Sequence, residues 1–149
     1  SGMRALRVGS IRLVLCASPN YLQQHGLPQQ PDELLEHTII ASSAGNNAVG
    51  WRFNTEGREK TLRIQPRLTV TTNDAAIEAA VRGFGITRLF SYQVAPQLAS
   101  GDLKIILSDY ESAPRPIHIV HREGRYTSTR VRAFIDLMVE QLRLDPALN

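Results

Sequence analysis

Short apolar segments that suit β-strands alternate along this chain with segments that suit helices. The clearest strand is Leu13–Ala17, a continuous apolar run typical of a strand covered on both faces. Ser18 and Pro19 then provide an N-cap and a first helical residue, and Gly26 is expected to end this short helix. The alternation predicts an α/β fold with a twisted, mixed, mostly parallel sheet flanked by helices on both faces.

The other elements follow from the same signals of periodicity and punctuation. Strands are expected at residues 38–41, 51–53, 62–70, 86–90, 103–107 and 117–120. Further helices are expected to start at Pro31 and at Asn73-Asp74, and to cover residues 92–99 and 128–143. Residues 42–50 read as a loop and Glu56-Gly57 as a turn. Pro66 interrupts the alternation of 62–70, so this segment is expected at a sheet edge or as two shorter strands.

Two of the predicted helices carry an apolar stripe. In the helix that Gly83 and Gly85 are expected to end, the stripe is Ala76, Ile77, Ala80, Val81 and Phe84. In the last helix, which Asp145-Pro146 is expected to end, it is Val131, Phe134, Ile135, Met138 and Leu142. Each stripe predicts a helix that packs one side against the rest of the fold.

Length and composition indicate one ordinary globular domain, with 149 residues, 42% apolar and 21% charged. The net charge is +3 and the isoelectric point 9.4. The arginines are spread along the chain, which favours solvated surface charge over a nucleic-acid interface.

Leu13–Ala17 is the longest apolar run and is far too short to span a membrane. A single cysteine, Cys16, excludes an internal disulfide and fits a reducing cytoplasm. Ser1-Gly2 ahead of Met3 is typical of an expression scar, so residues 1–3 are set apart from the predicted domain.

No combination of residues predicts catalysis, a metal site or a cofactor. His118 and His121 stand three apart on a predicted strand and therefore point to opposite faces. Cys16 lies in the most apolar strand, where a thiol usually behaves as a small buried hydrophobe. Gly83-Phe-Gly85 follows a helix, whereas a phosphate-binding glycine loop precedes one. The acidic residues are scattered, so the sequence favours a binding protein over an enzyme.

Polar residues follow two predicted strands at the ends where α/β sheets bind ligands. Ser42 and Ser43 follow the strand 38–41. Thr72 and Asn73 follow the strand 62–70 and precede a helix, whose N-terminus favours an anion. These four residues are predicted to contact a ligand.

The next strand adds a charged and an aromatic candidate, Arg88 and Phe90. A guanidinium can hold a carboxylate with two hydrogen bonds, and a phenyl ring can form an apolar wall. Plain alternatives stay open for several of these residues. Ser42 and Ser43 can simply solvate a loop, Asn73 can cap a helix, and Arg88 can be an ordinary surface charge.

An ordered set of short motifs runs from about Arg4 to Leu144. It consists of Cys16-Ala-Ser-Pro19 with Tyr21-Leu22, Gly26 with Pro28, Pro31 with Leu34 and His37, Trp51 with Phe53, Leu68 with Asn73, Ala79-Ala80 with Gly83, Gly85 and Ile86, Gly101-Asp-Leu103, Pro116, and Arg132-Ala-Phe-Ile-Asp136. In order and spacing this set resembles the effector-binding domain of LysR-type transcriptional regulators. Phe90 is a departure, because many members of that family have proline there.

The resemblance implies a fold like the type 2 periplasmic binding proteins, in which two α/β subdomains enclose a small effector. Residues 4–149 are then part of such a domain, with the second subdomain at about 16–115 and a segment at about 116–144 that returns to the first. The front of the first subdomain and the winged helix-turn-helix have no counterpart in this sequence. Contact with DNA is therefore expected only through the N-terminal domain of the parent protein.

The implied function is the ligand-sensing domain of a bacterial-type, cytoplasmic transcriptional regulator that binds a small anionic or aromatic effector. The alternatives are a solute-binding protein of a transport system and a small enzyme on a related scaffold. The missing half of the cleft predicts that this fragment binds no effector by itself. It also leaves the last helix short of packing surface, so self-association is expected, with the C-terminal helix exchanged or docked on a neighbour.

Overall fold

The computed structural model describes residues 2–44, 50–122, 124 and 128–149. Two compact units divide the chain. The core unit is Arg12–Ala113, and the terminal unit combines Ser1–Ile11 with Pro114–Asn149. Residues 45–49 of the predicted loop, and Ser1 of the predicted scar, lie outside the described residues.

The strands are β1 (Met3–Ile11), β2 (Leu13–Ala17), β3 (Ile39–Ser42), β4 (Gly50–Thr55), β5 (Arg58–Arg63), β6 (Leu68–Val70), β7 (Ile86–Phe90), β8 (Lys104–Ile106) and β9 (Arg115–Arg122). The α-helices are α1 (Pro19–His25), α2 (Asn73–Val81), α3 (Ala95–Ser100) and α4 (Thr129–Leu144). Short 3₁₀ helices cover Pro31–Glu36, Ser108–Tyr110 and Pro146–Leu148.

Five strands of the core unit form one sheet in the order β6-β3-β7-β2-β8. β3 runs parallel to β6 and β7, whereas β2 runs antiparallel to β7 and β8. The sheet is mixed and mostly parallel, as predicted, because β8 points the same way as β6, β3 and β7, and β2 is the one reversed strand of the five. The connection from β2 to β3 holds two short helical segments and starts β3 at the sheet edge where β2 ended. Strand spacing in the sequence is the same for either direction, so it could not reveal this reversal.

Apolar side chains cover both faces of this sheet, as the alternating elements predicted. On the hairpin face, Leu15 and Ile86 pack with Trp51 of the β4–β5 hairpin and with residues of α1. On the α2 face, Ile40 and Leu89 pack with α2 and α3. Successive residues of a strand point to opposite faces, so neighbours on β7 belong to different layers.

Capping side chains and glycines set the ends of the first helices. The Oγ atom of Ser18 accepts the backbone N–H of Tyr21 at 3.1 Å and begins α1 at Pro19. Gly83 has φ 83° and stands just after α2, in the left-handed region that favours glycine. Both boundaries confirm the predicted punctuation.

The segment 62–70 is divided at Pro66, as predicted. β5 ends at Arg63 and pairs with β4, whereas β6 begins at Leu68 and forms an edge of the five-stranded sheet. Proline lacks the backbone N–H that a continuous ladder needs at that point. The predicted turn at Glu56-Gly57 is also confirmed, with both residues at positive φ.

Several boundaries differ from the predicted ones by a few residues. α3 begins at Ala95 instead of residue 92, because residues 91–94 form a turn after β7 in which the Oε1 atom of Gln93 accepts the N–H of Phe90. β9 covers Arg115–Arg122 and is longer than the predicted strand at 117–120.

The terminal unit consists of the antiparallel pair β1–β9, with α4 against β1. β1 was not predicted, because Arg4, Arg7 and Gly9 interrupt its apolar pattern and its partner lies more than a hundred residues away in sequence. α4 matches the last predicted helix, yet none of its described residues is buried. Among the described residues, no helix is long and apolar enough to cross a membrane.

Candidate functional site

The ends of three parallel strands lie at one edge of the core sheet. β3 pairs with β6 and with β7 in parallel, so the carboxyl ends of all three point the same way. Ser42 is the last residue of β3, and its Oγ atom donates to Oδ1 of Asn73 at 2.9 Å. Asn73 is the first residue of α2. This bond joins two of the predicted ligand contacts.

Ser43 ties the loop after β3 to the neighbouring strand. Its backbone N–H and its hydroxyl both donate to the carbonyl oxygen of Val70, at 2.8 Å and 3.2 Å. Val70 ends β6. The side chain of Ser43 is exposed and stands beside the Ser42–Asn73 pair at the same edge.

Thr72 caps α2, since its Oγ1 atom accepts the backbone N–H of Ala75 at 3.1 Å. α2 begins at Asn73, as predicted, but the alternative that Asn73 serves as its N-cap is wrong. The side chain of Asn73 instead accepts a bond from Ser42. Thr72 occupies the cap position because its extended backbone directs its hydroxyl at the first turn of α2. We refer to Ser42, Ser43, Thr72 and Asn73 as the polar edge cluster.

Arg88 lies on the hairpin face, away from the side of the sheet that α2 covers. One guanidinium nitrogen donates to the carbonyl oxygen of Arg52 at 3.1 Å. The Cζ atom stands 5.1 Å from the ring centre of Trp51 and 5.9 Å from that of Phe53. Both aromatic rings therefore hold the cation in place through cation–π contacts.

The cavity beside Arg88 is very small. It is lined by Leu13, Phe53, Arg88 and Glu111, among others, and its volume is about 10 Å³. This is room for about one water molecule. A carboxylate ligand fits here only if Arg88 or its neighbours move.

Phe90 ends β7, where it pairs with Leu13 of β2. Its ring is half-buried and stacks on Tyr92, with ring centres 6.3 Å apart and planes 11° apart. Phe90 follows Arg88 by two positions, so its side chain emerges on the hairpin face. The structure thus brings four predicted residues together in the polar edge cluster and places Arg88 and Phe90 on the opposite face.

The aromatic partners of Arg88 were not among the predicted site residues. Trp51 and Phe53 alternate with Arg52 on β4, and both are buried at 3% exposure. That alternation was readable in the sequence as a strand with one aromatic face. The sequence could not reveal that this aromatic face contacts Arg88, which belongs to a different strand.

The potentially reactive groups show ordinary surroundings. Cys16 is fully buried, and burial raises the pKa of its thiol to about 12. His118 is exposed and His121 half-buried on β9. Within residues 2–44, 50–122, 124 and 128–149, no three His, Cys, Asp or Glu side chains are placed to share a metal ion.

Comparison with known proteins gives a consistent set of similarities. The family model described as the LysR substrate binding domain matches residues 1–143. A probable HTH-type transcriptional regulator, LtrA of Klebsiella pneumoniae, is 29% identical over 99% of this chain and 48% of its own length. The HTH-type transcriptional regulator CrgA of Neisseria meningitidis is 28% identical over 95% of this chain and 48% of its own.

Solved structures agree with the sequence matches. The regulatory domain of AphB from Vibrio vulnificus superimposes with a TM-score of 0.85 at 26% identity, over 94% of this chain and 70% of that domain. The CrgA regulatory domain, from a LysR-type regulator of Neisseria meningitidis, gives 0.77 at 28% identity, over 95% and 70%. The chain spans about half the length of the curated relatives it matches.

Proposed function

Because this chain belongs to the family of LysR substrate binding domains, we propose that it is the ligand-sensing part of a bacterial-type transcriptional regulator. The ligand is a small anionic or aromatic effector. The polar edge cluster carries this proposal, since it gathers hydroxyl and amide groups at the N-terminus of α2. Such a helix end attracts negative charge and offers backbone N–H groups that have no partner inside the helix.

In this proposal Ser42 and Ser43 are polar contacts to the effector, and Thr72 and Asn73 are contacts at the helix end. The bond between Ser42 and Asn73 holds both side chains at the edge before a ligand arrives. The amide group of Asn73 retains two N–H donors for an anion. An effector carboxylate placed there gains these donors together with the positive end of α2.

Arg88 and Phe90 form the charged and apolar walls of the proposed site on the hairpin face. Their support is that β7 ends at the same sheet edge as β3 and β6. To reach a ligand, the guanidinium of Arg88 leaves its place over Trp51, because the cavity beside it holds about one water. The two groups of residues are thus separable in an experiment.

The parent protein is proposed to be a cytoplasmic, non-enzymatic regulator that contacts DNA through an N-terminal domain. Effector binding shifts the conformational equilibrium of the sensing domain and, through it, of the DNA-binding domains. The names of the relatives, HTH-type transcriptional regulators, favour this over a transport solute-binding protein. We assign the second subdomain to residues 16–115 and the returning segment to 116–144, and the extent of the core unit supports that division.

The terminal unit is proposed to mediate self-association, with α4 exchanged or docked on a neighbouring copy. Six of its large apolar side chains are well exposed. They are Met3, Val120, Val131, Phe134, Leu137 and Leu144, at 50–72% exposure. An apolar surface of this kind favours contact with another chain.

Thermal unfolding in the presence of aromatic and aliphatic carboxylates, including benzoate and succinate, tests the proposed site. A carboxylate that binds the folded protein raises its melting temperature. We expect a rise for at least one carboxylate with the parent protein, and its loss in Ser42→Ala and Asn73→Ala. Ser100→Ala, which removes a hydroxyl at the far end of α3, is the matched control and should keep the rise.

Arg88→Ala separates the two faces of the sheet in the same assay. If Arg88 holds the carboxylate, this variant loses the rise as well, and Arg63→Ala on β5 keeps it. An unchanged rise in Ser42→Ala and Asn73→Ala would contradict the polar edge cluster as the site. An unchanged rise in Arg88→Ala removes Arg88 from the proposal and leaves the cluster.

A further inference from the structure

Arg12 and Glu111 form a two-bonded ion pair. The Nε atom of Arg12 donates to Oε1 of Glu111 at 2.7 Å, and a terminal nitrogen donates to Oε2 at 2.8 Å. The side chain of Glu111 is 12% exposed and that of Arg12 is 43% exposed. A planar guanidinium bonded in parallel to both carboxylate oxygens is the strongest and most directional of protein ion pairs.

In the sequence, the two residues lie near the first and the last residue of the core unit. Arg12 is its first residue, and Glu111 lies two residues before Ala113, its last. The chain therefore enters and leaves the core unit beside this one ion pair. No other ion pair described in the core unit joins its two ends, since Glu78–Arg82 lies within one helical region and Arg52–Glu59 within one hairpin.

A third segment meets the same point. The backbone N–H of Arg12 donates to Oγ of Ser91 at 3.1 Å, and the N–H of Ser91 donates to the carbonyl oxygen of Arg12 at 2.7 Å. Ser91 directly follows Phe90, the last residue of β7. Arg12 thus binds the end of β7 with its backbone and Glu111 with its side chain.

A constrained turn delivers Glu111 to this junction. Leu107 has φ 54° and ψ 34°, a left-handed conformation that is uncommon for a non-glycine residue. The N–H of Tyr110 donates to the carbonyl of Leu107 at 3.0 Å, and that of Glu111 to the carbonyl of Ser108 at 3.3 Å. The turn brings the chain back after β8, so that the carboxylate of Glu111 meets the guanidinium.

We propose that the Arg12–Glu111 ion pair is a clamp that couples the end of β7 to both ends of the core unit. When the clamp opens, these segments open together. Removal of Arg12 leaves the mostly buried carboxylate of Glu111 without its partner, and removal of either residue frees the turn at 108–111. The same loss loosens the backbone of Arg12 and, with it, Ser91. A ligand that contacts the end of β7 is then linked by this clamp to both points at which the chain leaves the core unit.

Amide hydrogen exchange on the full chain tests the clamp without any ligand, so its outcome is independent of the proposed effector site. The reporters are the amides of Ser91 and of Glu111, which lie twenty residues apart. In Glu111→Gln we expect both to exchange about tenfold faster or more, since each loses protection in one shared opening. The amide of Ile86, which is fully buried and donates to the carbonyl oxygen of Thr38 at 2.9 Å, reports global unfolding and should change much less.

Glu78→Gln is the matched control, because it breaks a pair of the same 2.7 Å length that is exposed and lies within one helical region. This variant should leave the amides of Ser91 and Glu111 unchanged. If Glu111→Gln accelerates exchange of the amide at position 111 but not that of Ser91, the ion pair acts only locally and the clamp is overturned. Unchanged exchange at both amides overturns it as well.

Two further variants keep the test decisive if Glu111→Gln unfolds the chain. One is a smaller change at Glu111, and the other changes its partner Arg12. Glu111→Asp keeps the charge but shortens the side chain by one methylene, so it should accelerate both reporters by less than Glu111→Gln. Arg12→Lys keeps the charge but loses the paired bonds, and should affect Ser91 and Glu111 together. Any variant of the pair in which only one reporter changes contradicts the shared opening.

Discussion

The phenolic oxygen of Tyr21 lies 2.8 Å from Nδ1 of His37 and links α1 to the start of β3. The same oxygen accepts the backbone N–H of Thr38 at 3.2 Å, so its own proton is directed at the imidazole ring. Tyr21 is 2% exposed, and its ring stacks on His25 with centres 4.6 Å apart. The neutral ring of His37, protonated at Nε2, is therefore the form that accepts this bond.

This relationship predicts that acid destabilises the core unit through His37. Burial lowers the pKa of His37, and the nearby His25 lowers it further, against the opposing carboxylates of Glu33 and Glu36. The unfolded chain then binds a proton at a higher pH than the folded chain does. The free energy of unfolding should fall as the pH drops below about 6.5. The loss due to His37 should be complete once the pH is below the pKa of His37 in the folded chain.

Urea unfolding between about pH 8 and pH 5 measures this dependence. His37→Gln keeps an acceptor for the Tyr21 hydroxyl but cannot titrate, so its free energy of unfolding should fall less steeply with acid. His118→Gln on β9 is the control for loss of a histidine elsewhere and should follow the unsubstituted chain. Equal slopes in the chain and in His37→Gln would exclude His37 as the source.

Gly85 is predicted to tolerate no side chain, because it lies against the backbone of Thr38. A Cβ atom at Gly85 would overlap the carbonyl oxygen of Thr38, and that oxygen also accepts the N–H of Ile86 at 2.9 Å. We expect Gly85→Ala to lower the free energy of unfolding by about 2 kcal/mol. Gly50→Ala, whose Cβ meets only a methyl group of Thr61 at 3.3 Å, is the control and should change it far less. Equal losses would argue against the close approach.

Cys16 is predicted to be unreactive in the folded chain. Its side chain is fully buried in β2, and burial raises the pKa of the thiol to about 12, so little thiolate is present near neutral pH. Iodoacetamide at pH 8 should label the folded chain about a hundredfold or more slowly than the urea-unfolded chain. Ser100→Cys places a second thiol on the exposed end of α3 and should be labelled quickly while Cys16 is not. Fast labelling of both thiols would show that β2 opens readily.

Phe134 is predicted to contribute to self-association, because its side chain on α4 is 63% exposed. In sedimentation velocity the chain should form a dimer or larger species as its concentration rises. Phe134→Ser should weaken that association about tenfold or more. Leu35→Ser is the matched control, since Leu35 is 61% exposed but belongs to the core unit. A monomer at high concentration, or equal loss in both variants, contradicts the proposed role of α4.

Much of the local structure was predictable because its causes lie within a few residues. The Ser18 cap, the glycine after α2 and the break at Pro66 each depend on a backbone group next to the residue concerned. The cap of α2 was misplaced by one residue. Thr72 and Asn73 both suit a cap, and only the backbone conformation at Thr72 selects between them.

The candidate site was predictable only in part. Ser42 and Asn73 stand 31 residues apart, and the sequence placed each after a predicted strand without predicting the bond between them. Arg88 was expected at the same edge, but alternation along β7 and the rings of Trp51 and Phe53 hold it on the other face. The wide separation in sequence between Arg88 and these rings left no local signal for this contact.

The sequence by itself determined the element types, most of their ends and the resemblance to a regulatory family, since periodicity and capping act over one or two turns of chain. Only the tertiary structure decided the direction of β2, the pairing of β1 with β9, and the meeting of Arg12 with Glu111. Those features join residues far apart in sequence. They follow from how whole layers pack, because a strand or an ion pair forms only where the rest of the fold brings its partner within reach.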